Sequence, residues 1–231
     1  MLMPRVRITL AAALLGMATL TACSSGGEGA GSTDGRKPEQ PASKPAAAPK
    51  PITKELPQAH LTQALLGDGE TLPGYTLHDD KAVTDGQYCN GAQDDDSTPP
   101  GWVRGGDPSY EYNGSTLDMA FIAICLFDST DAAHRQYTAW KGTETSKQQR
   151  PRKPIGDENT LVVNPGASED SVYGYVRSGK ATVRVRVEGA TGGDPSGTQA
   201  ILAATLKRLQ QLQDGKAATT TAVDELAAAR Q

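Results

Sequence analysis

The sequence predicts an α+β domain: an antiparallel sheet with helices packed mainly on one face, a single domain after a disordered tether. Three observations carry that expectation. Residues 121–127 are a continuous apolar run (Phe121, Ile122, Ala123, Ile124, Cys125, Leu126, Phe127), as in a central strand covered on both faces. Residues 180–188 alternate, with Val183, Val185 and Val187 facing a core while Thr182, Arg184, Arg186 and Glu188 face away. Leu202, Leu206, Leu209 and Leu212 fall on one stripe of a helix.

The chain begins with a basic segment holding Arg5 and Arg7, an apolar run over residues 8–20, and Leu20-Thr21-Ala22-Cys23. The run is shorter than the roughly 20 residues a membrane span needs, and its flanks are those of a signal peptide over residues 1–22. The tetrapeptide resembles the bacterial lipobox, which implies diacylglycerol on Cys23 and cleavage before it. Each buried lipid methylene adds ~0.8 kcal/mol, so two chains hold a protein to a membrane where one does not. No helix-spanning anchor is then required. Residues 23–56 follow as a Pro-, Gly- and Ala-rich tether, with Pro38, Pro41, Pro45, Pro49 and Pro51 closely spaced. Such composition cannot bury enough apolar surface to offset its ordering entropy; as a coil it spans about 30 Å.

The folded domain is expected over residues 57–214. Pro57 suits the first turn of a helix that places Leu61, Ala64 and Leu65 on one face and stops at Gly67. Leu72-Pro73-Gly74-Tyr75 reads as a turn into an extended segment, and residues 94–108, rich in Asp, Pro and Gly, as an irregular loop. The strand over 115–127 leads to Asp128 or Ser129 as a cap, then a helix with Ala133, Tyr137 and Trp140 on one face, closed by Lys141-Gly142. A short strand covers 160–163. Strands over 171–177 and 180–188 form a hairpin about Ser178-Gly179, and a Gly-rich connection precedes the final helix. Residues 215–231 lose the Leu stripe and are expected to be a frayed tail.

Removing residues 1–22 takes Arg5 and Arg7 and no acid, so the mature formal charge is 21 − 27 = −6. That sign argues against nucleic acid or an anionic membrane surface as a general partner. With Cys23 assigned to lipid, Cys89 and Cys125 remain, and an oxidising compartment favours a disulfide between them. The alternative, two free buried thiols or a metal pair, lacks His partners at ligand spacing for the metal.

Gly174 to Lys180 matches the first seven positions of a phosphate-binding loop, but Ala181 stands where the hydroxyl residue belongs and the setting is strand–turn–strand. Asp94-Asp95-Asp96 offers consecutive rather than alternate carboxylates, a poor cation loop. His60, His78 and His134 are isolated, and no hydrolase motif surrounds them, so no catalytic residue, metal or cofactor is assigned. The chemically richest cluster is Arg177, Arg184 and Arg186: two on one strand face and one on the paired arm, a possible anion site if that face lines a groove. An exposed face balanced by Glu188 is the plainer alternative.

An early Leu65-Leu66 helix, Leu72-Pro73-Gly74-Tyr75, the apolar strand before an Ala/Trp helix, Ile155-Gly156-Asp157-Glu158, and a Val-rich hairpin ending Arg184-Val185-Arg186-Val187 occur in that order. The order is similar to extracellular sensor-like domains of actinobacterial lipoproteins and PknH-type receptor kinases. The resemblance covers about residues 57–212 and implies a helix-covered antiparallel sheet with a cleft and disulfides. Such domains often carry a Cys soon after the helix Trp; here Lys141-Gly142 follows Trp140, which leaves one pair. The expected function is a non-catalytic binding or sensing module, lipid-anchored on the extracytoplasmic face of the cell membrane, taking a small ligand or an envelope protein. A protein–protein scaffold, favoured by an apolar patch near the last helix, and an envelope hydrolase, requiring a His beside a nucleophile, are the alternatives.

Overall fold

The structure is a computed structural model that describes residues 50–229 apart from 82–85, 87–88, 91–96 and 167–169. The signal segment, Cys23 and the Asp94-Asp95-Asp96 run lie outside the described residues. In chain order the elements are α1 (Gln58–Ala64), β1 (Tyr75–Leu77), β2 (Trp102–Gly106), β3 (Ser109–Tyr112), β4 (Ser115–Phe127), α2 (Thr130–Gly142), β5 (Gln148–Gln149), β6 (Glu158–Asn164), β7 (Asp170–Ser178), β8 (Ala181–Ala190), α3 (Ser196–Gln213) and α4 (Ala222–Ala229).

All eight strands pair antiparallel in one sheet, ordered β1-β3-β4-β8-β7-β6-β5. β2 and β3 take successive halves of one edge of the long β4: Ser109 aligns with Phe121 and Gly106 with Ile124. β4 is the central strand its apolar run predicts. Ala120, Ile122, Ile124 and Leu126 point into one core, and Cys125 and Phe127 into another on the opposite face. The hairpin of β7 and β8 turns at Gly179-Lys180, and Val183, Val185 and Val187 join Ile122 and Ile124 in the first core. α3 covers that face with Leu202, Leu206, Leu209 and Leu212, all buried. It comes close because Gly174 has no side chain: a Cβ there would sit 2.5 Å from Leu202 Cδ1.

The opposite face carries α2. Its first turn is capped by Ser129, whose Oγ accepts from Ala132 N at 3.2 Å. Ala133, Tyr137 and Trp140 pack on Phe127, Val162 and a disulfide between Cys89 and Cys125, whose Cα atoms are 5.9 Å apart. Three helices on one face and one on the other match the predicted layering.

Arg208 of α3 is almost fully buried and ties three chain segments together. Its guanidinium donates to Gln63 O (2.8 Å), Leu65 O (3.5 Å) and Thr220 O (3.2 Å) and pairs with Glu70 Oε1 at 3.1 Å. Two of these acceptors are carbonyls at the end of α1 that a helix terminus leaves without partners.

Three expectations need correction. The tether does not extend to residue 56: Ile52 and Leu56 are buried in the core, and Ile52 O accepts from Lys180 N at 2.7 Å. Gln213 adds to this grip, its Oε1 accepting from Thr53 N (2.6 Å) and its Nε2 donating to Pro51 O (3.0 Å). Two apolar residues among prolines are enough when a preformed surface receives them. Residues 215–231 are not a frayed tail throughout, because α4 is capped by Thr221 Oγ1, buries Ala222 and pairs Glu225 with Lys207 at 2.6 Å. Its apolar stripe is too short to stand out in the sequence. The loop expected over 94–108 contains β2, whose Gly105 and Gly106 lie buried against β4.

Candidate functional site

The register of the sheet arranges the α2 face in rows. Phe121, Arg186, Tyr173 and Val162 lie side by side across β4, β8, β7 and β6; Ala123, Arg184, Tyr175 and Thr160 form the next row; Cys125, Thr182, Arg177 and Glu158 the third. α2 covers the second and third rows. Tyr137 OH meets Thr160 Oγ1 at 2.6 Å, His134 Nδ1 meets Glu158 Oε2 at 2.8 Å, and the Trp140 ring lies 5.4 Å from Arg184 Cζ. Of the first row only Val162 is buried with α2; Phe121, Arg186 and Tyr173 stay partly exposed, and a cleft forms there.

The lining of one hollow, about 290 Å³, includes the acidic Asp107 beside Pro108, Phe121, Tyr173, Arg184 and Arg186. A second, about 200 Å³, is lined by Thr143, Glu144, Thr145, Asn164, Tyr175 and, again, Tyr173 and Arg184. The Arg186 guanidinium lies 4.1 Å from the centre of the Phe121 ring and 6.0 Å from that of Tyr173, and its Nη2 reaches Glu188 Oε1 at 3.1 Å. Its Nε is buried and has no hydrogen-bond partner among the described residues. Stacking between aromatic faces fixes the plane of a guanidinium and removes part of its hydration.

Arg184 is more deeply placed, and burial lowers its pKa, opposed by Tyr175, Tyr173 and Glu144. Glu144 is held at both oxygens: Asn164 Nδ2 donates to one at 2.9 Å and Tyr175 OH donates to the other. Burial, and then the bond and charge of Glu144, push the Tyr175 hydroxyl far above its ordinary pKa, so it stays a donor. The cleft therefore has an aromatic arm, where two arginines stand beside the Asp107 carboxylate, and a polar arm with a fixed carboxylate at Glu144.

Of the three arginines singled out in the sequence, the structure brings Arg184 and Arg186 together and sets Arg177 apart. Arg177 Nε donates to Glu158, and its Nη1 lies 3.3 Å from Asp157 Oδ2, outside both hollows. Gly174 to Lys180 lies in the hairpin, where Gly179 N donates to Asp157 Oδ2 at 2.7 Å and Lys180 N to Ile52 O. Those N–H groups are thus not free to cradle a phosphate. His60 sits on α1, His78 follows β1 and meets Glu111 at 3.1 Å, and His134 is on α2; the three share no site. Among the described residues no group of three or more His, Cys, Asp or Glu could hold a metal ion, and no helix is long and apolar enough to cross a membrane.

Sequence reasoning missed Phe121, Tyr173, Tyr175 and Glu144. A signal for the tyrosines was present: counting back from the turn at Gly179-Lys180 pairs Tyr175 with Arg184 and Tyr173 with Arg186. Glu144 lies between α2 and β5, outside any periodic element, and no spacing marks it.

No family model and no curated protein matches the chain. Three chains of solved structures do. One is the extracellular domain of PknH from Mycobacterium tuberculosis, 14% identical, with a TM-score of 0.47, over 71% of this chain and 100% of that one.

Proposed function

We propose that the protein is a lipoprotein held by Cys23 at the extracytoplasmic face of the cell membrane, and that its domain is a non-catalytic module that binds or senses an anionic small ligand. The observation that carries the ligand reading is Arg186, whose guanidinium is stacked on Phe121 and which lines an open hollow. The side chain is 35% exposed there, so a carboxylate or phosphate oxygen can meet the guanidinium in a charge-assisted hydrogen bond. The anchor reading rests on Arg5, Arg7, the apolar run and Leu20-Thr21-Ala22-Cys23.

The scaffold alternative asks for an apolar patch near the last helix. There α4 itself packs on α3, and of its larger apolar side chains Val223 is 37% exposed. The hydrolase alternative asks for a histidine beside a nucleophile, whereas His78 and His134 partner carboxylates and His60 is half-buried on α1.

The test is a thermal-shift and titration screen of the full chain against anionic envelope-derived metabolites, with Arg186→Met beside it. Stabilisation that disappears in Arg186→Met is the expected result. No ligand in the panel, or one that binds both proteins equally, would refute the reading. The anchor is tested separately by incorporation of a labelled fatty acid, which Cys23→Ala should abolish.

A further inference from the structure

The two hollows share Tyr173 and Arg184, so they adjoin. At about 290 and 200 Å³ they reach together the volume of ordinary small-molecule sites, roughly 300–1,000 Å³. A bare ion would leave most of that space filled by water. The second hollow also has a chemistry that an anion alone does not need. Thr143, Thr145, Asn164 and Glu144 line it, and the Glu144 carboxylate is oriented by Asn164 and Tyr175.

Each carboxylate oxygen retains acceptor capacity beyond the one bond it receives. Arg184 lines the same hollow and offsets the Glu144 charge, which disfavours an ammonium group and leaves neutral hydroxyls as the matching donors. An alkyl chain laid there would strip water from these polar groups without replacing their hydrogen bonds, which opposes its binding. Between the arms stands Tyr173, half-buried and lining both hollows; its ring is held by stacking on Tyr175 at 26° and offers aromatic surface to the C–H face of a sugar.

We infer that the cleft takes an acidic saccharide, a sugar bearing a carboxylate or phosphate, with the anion at Arg186, the ring over Tyr173 and hydroxyls on Glu144, Asn164 and the two threonines. This deepens the anionic-ligand reading above and rests on it. The anion end uses the planar fork of Arg186, already oriented by Phe121, and the hydroxyl end supplies the selection against other anions.

The experiment is isothermal titration of the full chain, purified in detergent, with D-glucuronate, glucose 6-phosphate, glucose, octanoate and inorganic phosphate. Arg186→Met and Glu144→Gln are titrated in parallel after circular dichroism shows that they fold. At least one sugar acid should bind, with glucose weaker by on the order of tenfold or more. Arg186→Met should weaken the sugar acid by roughly 10- to 100-fold, the loss of a charge-assisted hydrogen bond. Glu144→Gln should weaken the sugar acid and leave octanoate and phosphate unchanged. If octanoate or inorganic phosphate binds as tightly as the sugar acids through Arg186, the saccharide assignment is overturned while the anionic cleft stands. If glucose binds as tightly as glucuronate and ignores Arg186→Met, both readings fall. If none of the five binds, the saccharide assignment is overturned, and the wider metabolite screen decides the anionic reading.

Discussion

Replacing Arg208 by methionine isolates what its guanidinium does, because the stem volume is nearly kept. The side chain is only 5% exposed and serves Gln63 O, Leu65 O and Thr220 O as well as Glu70. Methionine offers none of these donors. Gln63 O at the end of α1 and Thr220 O before α4 then lose this donor, each worth about 1–3 kcal/mol where water cannot reach, while Leu65 O keeps Lys81 Nζ at 2.8 Å. Glu70 is a third exposed and can rehydrate, so the full cost of about 3–5 kcal/mol for an orphaned buried ion does not apply. A net loss of about 3 kcal/mol follows. With a urea slope of about 2 kcal/mol/M, the midpoint should fall by roughly 1.5 M at unchanged slope. Amide exchange should accelerate first at Ala222, whose N–H donates to Glu70 O at 2.7 Å, because the same clamp holds both strands of chain. Arg208→Lys should lie between the two, keeping charge but losing the fork. A midpoint within about 0.3 M of the parent would refute the clamp as an energetic feature.

Three other perturbations address the sheet and its faces. Gly174→Ala places a methyl 2.5 Å from Leu202 Cδ1 and 2.7 Å from Thr198 Cγ2, so α3 must shift; a loss of about 1–3 kcal/mol in chemical denaturation is expected. An unchanged midpoint would mean that the helix lies farther from the sheet. Replacing Cys89 and Cys125 by serine opens a crosslink between residues 36 apart, and the loop-closure estimate puts the loss near 4 kcal/mol at most. Equal stability of parent and variant under oxidising conditions would contradict the crosslink. Burial raises the Glu158 pKa, but hydrogen bonds and charge from His134 and Arg177 outweigh it and hold the carboxyl below its usual value. Its stabilisation is therefore complete above about pH 4.3, the ordinary value, and disappears as pH falls through the lower folded one. Glu158→Gln should flatten that acid limb in unfolding midpoints measured from pH 6 to 2, and a limb of unchanged steepness would count against the assignment.

The strongest elements were legible because one physical signal sufficed for each. The apolar run of β4, the alternation of β8 and the Leu stripe of α3 each state their own burial. β2 and β3 were not read: β2 is Gly-rich and partly hidden in a loop-like stretch, and β3 is four residues long. Yet Asn113-Gly114 between β3 and β4 was a readable hairpin mark, and both residues have positive φ, 50° and 76°. The cleft was half legible. Arg184 and Arg186 share a face by simple alternation, but which neighbour neutralises an arginine depends on chain segments far away in sequence. Arg177 meets Asp157 and Glu158, 20 and 19 residues earlier, while Arg186 faces aromatic rings on β4 and β7. Periodicity carries no information about such meetings.

The grip on residues 50–54 has a mechanical consequence. Tension arriving along the chain from before Lys50 enters the domain beside the β7–β8 turn and the end of α3, through Ile52 O, Gln210 and Gln213. Gly179 fits flush there, for a Cβ would lie 2.0 Å from Ile52 O. Arg186 lies five residues up β8 from Ala181, about 17 Å from that junction at strand rise. A load applied to the chain before Lys50 therefore meets the sheet at its turn end, five residues along β8 from Arg186.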